Sequence, residues 1–323
     1  MSKEIKKVLV IKLGALGDFV LALAAMKKIR EAHPKAKITL LTTPPFEALA
    51  KLSPYFNTVE TDGRPEDFGD LSQMLGRLRK ARYDRVYDLQ TNSRTNWYFQ
   101  ALRPFPPQWN GIAFGCSLPQ RNKARHTMHT LERQADQLRA AGIWPDAPIE
   151  HGNAPPPDLS WILRRHKEAR PVAGAAAPRP FVLFVPGGSA HRPEKRWPVE
   201  AFAQLGSLLK ARGLDIVIIG GPQESAMARA IQKSVGQARD LTGRTDFAQL
   251  AVLGAKAALV VGNDTGPTHL LAAAGAPTIA LFSDASDPEL CGPRGHVAVI
   301  KSHDLKALPV STVASAAISL LPQ

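Results

Sequence analysis

The chain of 323 residues has a hydrophobic fraction of 44%, which is enough to build the cores of two ordinary domains. Its two cysteines, Cys116 and Cys291, lie far apart without metal-ligand spacing, so neither a disulfide framework nor a zinc cluster is implied, and a reducing cytoplasm fits best. The formal net charge of +13 favours anionic partners, namely nucleic acid, phosphorylated metabolites or an anionic membrane, but a well-solvated basic surface explains it equally.

Targeting and membrane-spanning segments are not apparent in the sequence. The N-terminus lacks the apolar run and cleavage site of a secretory signal, and no stretch supplies the roughly 20 apolar residues of a spanning helix. We therefore expect a cytoplasmic protein, and we leave open an association of its basic surface with the inner face of the inner membrane.

Strand-like apolar runs recur along the chain and alternate with helical spacing. The runs cover residues 6–13, 37–43, 85–90, 181–187, 214–221, 257–264 and 276–283. Stretches with the apolar period of a helix, such as 20–30 and 202–211, lie between most of them. This rhythm of strand and helix is typical of parallel sheets, so we predict an α/β fold.

The rhythm breaks between residues 145 and 180, where proline, alanine and glycine are abundant. Prolines stop helices and deny hydrogen bonds to a sheet, so we predict an inter-domain connection with one short helix near 159–167. The predicted domains are an N-terminal Rossmann-like domain over 1–155 and a second one over 156–323. We predict a last helix with Ser311 or Thr312 as its N-cap, and we leave open that this helix packs back on the first domain.

The first chemical motif is the turn "LGALGD", in which Gly14 and Gly17 allow a tight passage from strand to helix and Asp18 follows. A dinucleotide fingerprint would have three glycines here and leave the helix end free for a pyrophosphate. Asp18 is either a first-turn acid that complements the helix dipole or a general base held at the carboxyl end of a sheet. A carboxylate here would repel a phosphate, which argues against a nucleotide site at this turn.

The second motif follows the strand that ends near residue 187. Gly187, Gly188 and Ser189 form a small-residue loop, and cationic or donor side chains come directly after it, namely His191, Arg192, Lys195 and Arg196. Backbone N–H, hydroxyl and ammonium groups bind phosphate oxygens. The alternative is a polar loop that leads into a helix at Trp197 and Pro198.

The third motif is the turn after the strand that ends at Val261. It contains Asn263, Asp264, Thr265 and Gly266, then Pro267 at the start of a helix and His269 in its first turn. Free N–H groups at a helix start, joined by a hydroxyl and an imidazole, suit a diphosphate. Asp264 can alternatively be only the cap of this helix.

Weaker signals lie outside these motifs. Gln223 or Glu224, after another strand, would suit a ribose hydroxyl pair, and a plain loop is the alternative. An anionic acceptor would suit Asn92, Arg94, Arg121, Lys123 and Arg125, although a solvated basic face also explains these residues.

The three motifs together resemble glycosyltransferase family 9, which includes the ADP-heptose:lipopolysaccharide heptosyltransferases. The matching segments are residues 8–34, 186–205 and 262–295, in order over nearly the whole chain. The third is the most specific, because a D-T-G-P-x-H turn followed by D-P-x-x-x-G-P-x-G is far rarer than a pair of glycines. The resemblance implies a GT-B architecture, in which two Rossmann-like domains with parallel sheets face a central cleft, the first binding the acceptor and the second the nucleotide sugar.

The resemblance also implies residue roles. Asp18 matches the base that deprotonates the acceptor hydroxyl, and Lys195 matches the lysine that contacts the donor phosphates, so both are expected in catalysis. The expected donor-binding residues are Gly188, Ser189, Lys195, Glu224, Asp264, Thr265, Gly266 and His269. The expected acceptor-binding residues are Gly17, Asn92, Arg94 and Arg125.

We expect an inverting transfer of a heptose or related sugar from ADP-heptose to a lipopolysaccharide core or another anionic glycolipid. No D-x-D metal motif occurs in the sequence, so we expect neither a metal nor a cofactor. Another GT-B enzyme, a UDP-sugar transferase or an epimerase, is the first alternative. A nucleic-acid-binding protein is disfavoured, because aromatic residues make up only 7% and no recognised motif occurs. A dehydrogenase is disfavoured by the missing three-glycine fingerprint.

Overall fold

The computed structural model describes residues 4–144, 152–165, 179–189 and 191–321. The chain divides into two compact units, Met1–Pro157 and Asp158–Gln323. The predicted connection over 145–180 crosses this division, and its residues 145–151 and 166–178 lie outside the described residues.

The first unit contains a six-stranded sheet in the order β3-β2-β1-β4-β5-β6, with every neighbouring pair parallel. Its strands are β1 Lys7–Ile11, β2 Lys37–Leu41, β3 Thr58–Glu60, β4 Arg85–Asp88, β5 Gln108–Gly111 and β6 Leu118–Pro119. β1 lies between β2 and β4, so Ile11 stands opposite both Leu41 and Asp88. The direction of strand succession reverses at the β1/β4 pair, and ligands of such sheets bind beyond the carboxyl ends at this point.

The helices of the first unit connect these strands. They are α1 Leu16–Ala32, α2 Glu47–Leu52, α3 Phe68–Ala81, α4 Ser93–Ala101 and α5 Thr130–Ala140. α1 packs against α5, whereas side chains of α3 and α4 share an apolar cluster with Leu9, Val86 and Trp109 of the sheet. Both faces of the sheet are thereby covered, which is why its central strands are continuous apolar runs.

The second unit repeats the architecture with the sheet order β12-β11-β10-β7-β8-β9, again all parallel. Its strands are β7 Phe181–Val185, β8 Asp215–Ile218, β9 Arg239–Asp240, β10 Leu259–Asn263, β11 Thr278–Phe282 and β12 Val297–Lys301. Its helices are α6 Ser160–Arg165, α7 Val199–Lys210, α8 Ser225–Val235, α9 Phe247–Lys256, α10 Gly266–Ala273, α11 Pro288–Cys291 and α12 Val310–Leu320. Both sheets therefore have the Rossmann strand order, and the second reverses at the β7/β10 pair.

The predicted α/β class is confirmed, and all seven predicted strands are present, each somewhat shorter than expected. The short helix of the predicted connection is α6. The predicted cap of the last helix is wrong, because α12 begins at Val310 and Pro309 occupies the N-cap position. α12 packs on α7 and β11 of the second unit, and its packing on the first domain stays a prediction.

Candidate active site

The turn between β1 and α1 brings Asp18 to the carboxyl edge of the first sheet. Gly14 has a φ of +132°, and a Cβ atom there would lie 2.9 Å from the Phe46 ring, so only glycine fits this turn. Asp18 is half-buried in the first turn of α1, whereas the N-cap position belongs to Ala15, whose methyl group cannot cap. Asp18 is therefore not the helix cap, and its carboxylate is held at the edge where ligands of this fold bind.

Lys12 lies near Asp18 and is not among the predicted site residues. It is only 5% exposed, and burial lowers the pKa of its ammonium group, while the carboxylates of Asp18 and Asp88 act in the opposite direction. The guanidinium groups of Arg133 and Arg64 also lower its pKa. Two carboxylates and two guanidinium groups thus lie within electrostatic range of Lys12.

Asp88 ends β4 and is fully buried. Its Oδ1 accepts hydrogen bonds from the backbone N–H groups of Gln90 at 3.1 Å and Thr91 at 3.0 Å. Burial nevertheless raises the pKa of this carboxyl to about 6, because desolvation disfavours the charged form. The loop that follows β4 is therefore tied to a carboxylate that is only weakly stabilised as an anion.

The predicted acceptor residues have different surroundings. Asn92 is the N-cap of α4: its Oδ1 accepts from the Thr95 N–H at 3.1 Å, and the Thr95 hydroxyl accepts from the Asn92 N–H at 3.2 Å. This reciprocal pair is a capping box, so the Asn92 side chain is engaged in holding the helix start. Gly17 lies in the first turn of α1, and Arg94 is exposed on α4.

Arg125, another predicted acceptor residue, contacts the loop that follows Asp88. Its Nε donates to Gln120 at 3.1 Å and its guanidinium donates to the Thr91 hydroxyl at 3.1 Å. Burial lowers its pKa, but the guanidinium remains charged at neutral pH. The neighbouring Arg121 and Lys123 are exposed, as a solvated basic surface requires.

In the second unit, Asn263 fixes the loop that follows β7. Asn263 is fully buried at the end of β10, and its amide donates to the carbonyls of Pro186 at 2.8 Å and Gly187 at 3.2 Å. Its Oδ1 accepts from the Trp197 N–H at 3.0 Å. One side chain therefore joins the glycine loop, the start of α7 and the end of the neighbouring strand.

Lys195 and Asp264 form the ion pair of this site. The Lys195 ammonium donates to Asp264 Oδ2 at 2.7 Å, and the Ser286 hydroxyl donates to the same oxygen at 2.6 Å. His269 Nε2 lies 3.5 Å from Asp264 Oδ1. Burial opposes ionisation of Asp264, but the hydrogen bonds from His269, Lys195 and Ser286 and the lysine charge outweigh it and hold the pKa of the carboxyl well below its usual range.

The start of α10 lies directly after this pair. Thr265 is at its N-cap position, and its hydroxyl makes no capping hydrogen bond within the part of the chain that the structure describes. Gly266 and Pro267 begin the helix, and His269 is only 5% exposed. Asp264 is therefore not a simple cap: its carboxylate holds Lys195, while the positive end of α10 lies beside it.

Glu224 packs under the glycine loop. It is 5% exposed, and its Oε2 accepts from the Gly221 N–H at 2.7 Å. A Cβ atom at Gly187 would lie 2.6 Å from Glu224 Cγ, whereas at Gly188 the nearest atom, in Arg196, is 3.5 Å away. Ser189 is exposed at the end of this loop. The structure thus brings all eight predicted donor residues, Glu224 among them, to the carboxyl edge of the second sheet.

Ser286, Asn263 and Lys12 were not among the predicted site residues. Ser286 is 22 positions from its partner Asp264, and no local pattern marks it. Asn263 and Lys12 each stand at or just after the end of a buried strand, so their position at the carboxyl edge was the available signal.

Within residues 4–144, 152–165, 179–189 and 191–321, no group of three His, Cys, Asp or Glu side chains has an arrangement suited to a metal ion. No helix of the described ranges combines the length and apolar character needed to cross a bilayer.

The chain resembles heptosyltransferases in both sequence and fold. Residues 72–315 match the family model of glycosyltransferase family 9 (heptosyltransferase). Lipopolysaccharide heptosyltransferase 2 of Escherichia coli K12 is 25% identical over 317 residues, which cover 90% of this chain and 86% of that protein. The family 9 glycosyltransferase from Veillonella parvula superposes with a TM-score of 0.78 at 22% identity, covering 99% of this chain and 98% of that one. The E. coli heptosyltransferase WaaC with ADP gives 0.76 at 20% identity, covering 97% and 99%.

Two Rossmann-like units of this strand order, matched over 97–99% of the chain by these two structures, define a fold of the GT-B type. Because the family model covers most of the sequence, the chain belongs to glycosyltransferase family 9.

Proposed function

We propose that this chain transfers a heptose, or a related sugar, from ADP-heptose to a lipopolysaccharide core or another envelope glycan, with inversion and without a divalent ion. The observation that carries the proposal is the Lys195–Asp264 pair at the start of α10, beside the glycine loop. The heptosyltransferases that the chain resembles in sequence support the sugar, and WaaC with ADP supports the nucleotide. The proposed acceptor domain covers residues 1–155 and the donor domain 156–323.

The donor half of the reaction needs stabilisation of the charge that develops on the leaving diphosphate. Lys195 keeps two ammonium hydrogens beyond its bond to Asp264, and the first-turn N–H groups of α10 add a fixed positive end. Asp264 would repel a diphosphate if it stood alone, but Lys195, Ser286 and His269 surround its charge. These fixed donors would supply the electrostatic stabilisation that a metal supplies in other transferases.

The acceptor half needs a base. In the proposed step the acceptor oxygen attacks the anomeric carbon, its proton passes to Asp18, and the bond between that carbon and the phosphate oxygen breaks with the electron pair leaving on ADP. Attack opposite to the leaving group inverts the anomeric centre. Gly17, Asn92, Arg94 and Arg125 would hold the anionic glycolipid acceptor, with Asn92 also capping α4.

The cellular setting belongs to the same proposal. An acceptor anchored in a bilayer requires the enzyme to work at the membrane surface, and the net charge of +13 would favour contact with anionic lipids. We propose a cytoplasmic enzyme that reaches the inner face of the inner membrane, with no nucleic-acid partner.

The experiment is product analysis by mass spectrometry with purified protein, ADP-heptose and truncated lipopolysaccharide cores. Asp18→Asn should lower turnover by about 10²- to 10⁴-fold and leave the Kd for ADP unchanged. Asp70→Asn is the matched control, because α3 begins Phe68-Gly69-Asp70 just as α1 begins Leu16-Gly17-Asp18. Equal turnover in both variants would reduce Asp18 to a dipole partner.

A nucleotide panel tests the donor. ADP should raise the unfolding temperature more than UDP or GDP, and Lys195→Met should remove most of that shift. Preference for UDP would redirect the proposal to a UDP-sugar enzyme, and absence of both nucleotide binding and transfer would reject it.

A further inference from the structure

One surface of the first unit exposes large aromatic rings to solvent. Phe105 is 91% exposed, Phe114 is 86% exposed and Trp97 is 50% exposed. Soluble proteins seldom expose several large apolar side chains together unless the surface binds a partner. We therefore expect a binding partner on the surface that carries these three rings.

Hydrogen bonds hold the backbone of Phe114 beside the end of α4. Gln100 at the end of α4 donates to the Phe114 carbonyl at 2.9 Å, and the Arg103 guanidinium donates to the same carbonyl at 3.4 Å. Trp97 precedes Gln100 by one helical turn and so lies on the same side of α4. Phe105 comes two residues after Arg103. We call the surface formed by Trp97, Phe105, Phe114 and the nearby arginines the aromatic face.

A cavity of about 780 Å³ opens beside Phe105. Its inner wall is aliphatic, with Leu9, Leu78, Val86 and Leu102 from the apolar cluster of the sheet. Its outer residues include three arginines, Arg79, Arg82 and Arg103. The residues that line this cavity, all of them in the described range 4–144, include no carboxylate.

The arginines are held at the mouth of the cavity. The Arg79 guanidinium donates to the Ala101 carbonyl, and the Arg103 guanidinium lies 5.7 Å from the centre of the Phe99 ring. Arg82 is exposed at the C-cap of α3. The charges of Arg79 and Arg103 are thus held next to an aliphatic wall by carbonyl oxygens and an aromatic ring, while Arg82 extends its charge into solvent beside them.

Guanidinium groups beside aliphatic and aromatic surface match an anionic phospholipid. Guanidinium binds phosphate in two parallel hydrogen bonds, phenylalanine side chains enter the acyl boundary, and tryptophan favours the interface. A nucleic-acid strand would need rings lying flat along a groove, whereas the two phenylalanines extend from loops. The charge and the apolar wall therefore favour a lipid surface over a polynucleotide.

We propose that the aromatic face docks on a bilayer that contains anionic phospholipid, with Phe105 and Phe114 inserted and a headgroup phosphate at Arg82. This inference rests on the proposed function for its setting, a transferase with a membrane acceptor. It extends that function by naming the surface and the lipid chemistry.

The test is flotation of the full chain with vesicles of phosphatidylcholine alone or mixed with phosphatidylglycerol. Wild type should bind the mixed vesicles, and raised salt should weaken binding. The double variant Phe105→Ser/Phe114→Ser should lower the partition coefficient by at least about tenfold. Arg82→Gln should lower it about fivefold on mixed vesicles and leave it unchanged on phosphatidylcholine alone.

Phe68→Ser is the matched control, because Phe68 is 81% exposed in the same unit but at the opposite end of α3 from Arg79. It should change the partition by less than about twofold. An unchanged circular dichroism spectrum and an unchanged urea unfolding midpoint in every variant would show that the first unit is folded.

Three results would overturn the inference: no binding of wild type to mixed vesicles, equal loss in the Phe68 control, or an effect of the double variant on self-association or RNA binding alone. Each leaves the transfer reaction intact if products still form from a detergent-dispersed acceptor. If the wild type binds vesicles but forms no transfer product, that result would instead count against the proposed function.

Discussion

Replacing Asn263 by alanine tests whether the glycine loop must be held rigid for donor binding. The fully buried Asn263 side chain makes three hydrogen bonds, to the Pro186 and Gly187 carbonyls and from the Trp197 N–H. Alanine removes all of them and leaves three polar backbone groups in a buried position. The Lys195–Asp264 pair keeps its own contacts in this variant.

The cost follows from these bonds. Each net hydrogen bond contributes about 0.5–1.5 kcal/mol, and a buried group left without its partner costs about 1–3 kcal/mol. Because relaxation will re-pair some of the three groups, we expect Asn263→Ala to lower the free energy of unfolding of the second unit by about 2–4 kcal/mol. A looser loop must be ordered by the ligand, so the Kd for ADP should rise about tenfold.

Urea unfolding followed by circular dichroism measures the first quantity, and the transition of the second unit is the one that ADP shifts to higher urea. Calorimetric titration with ADP measures the second. Asn110→Ala is the matched control: Asn110 is also fully buried in a strand and donates at 2.9 Å to two carbonyls, those of Leu118 and Gln137, but in the first unit. It should destabilise comparably without changing ADP affinity. An unchanged Kd in Asn263→Ala, at the stability expected, would refute the claim that rigidity of this loop serves donor binding.

Gly187→Ala should lower the free energy of unfolding by about 1–3 kcal/mol and weaken ADP binding, because its Cβ atom would lie 2.6 Å from Glu224 Cγ. Gly188→Ala, whose nearest neighbour is 3.5 Å away, should change neither quantity. Thermal unfolding without and with ADP tests both expectations. Asp264 has a pKa depressed below its ordinary value of 3.8, so the stability that it contributes is present above about pH 4 and lost as the pH falls further. Asp264→Asn should therefore destabilise by about 2 kcal/mol at neutral pH and make acid unfolding less dependent on pH. The pH dependence of stability at Asp88 has the opposite sign. The pKa of Asp88 is raised to about 6, so ionisation of this carboxyl lowers the free energy of unfolding as the pH rises through about 4 to 6. Asp88→Asn should stabilise by up to about 3 kcal/mol at about pH 8, and a gain that persists below about pH 4 would contradict this cause.

The sequence predicted the centre of each sheet and missed the edges. The seven predicted strands are apolar because helices cover both faces of the sheets. Four of the five missed strands, β3, β6, β9 and β12, are the edges, and three of these have only two or three residues. An edge strand has one neighbour and partial exposure, so it needs no continuous apolar run. The N-cap role of Asn92, by contrast, could have been predicted from the sequence, because Asn-x-x-Thr precedes an aromatic run.

The proposed donor site was predictable to the extent that it is contiguous in sequence. Gly188, Ser189, Lys195 and residues 264–269 belong to two short motifs, and strand order alone brings two carboxyl ends together. The contacts that organise them join distant positions: Asn263 to Trp197 across 66 residues and Ser286 to Asp264 across 22. Such pairs depend on tertiary packing, which no local spacing encodes.

The groups around Asp264 decide whether its carboxylate caps α10 or holds Lys195. A carboxylate next to a helix start lowers its energy by accepting first-turn N–H groups, but here its oxygens are taken by Lys195, Ser286 and His269. Thr265 has the extended backbone of an N-cap, yet its hydroxyl makes no cap with the described chain. Asp264 and Thr265 are both capable of capping, and both leave the first-turn N–H groups of α10 to another hydrogen-bond acceptor. Because the nearest ammonium is already oriented by Asp264, an anion that binds there meets a charge whose position is fixed in advance, which is the condition for stabilising a leaving group without reorganisation.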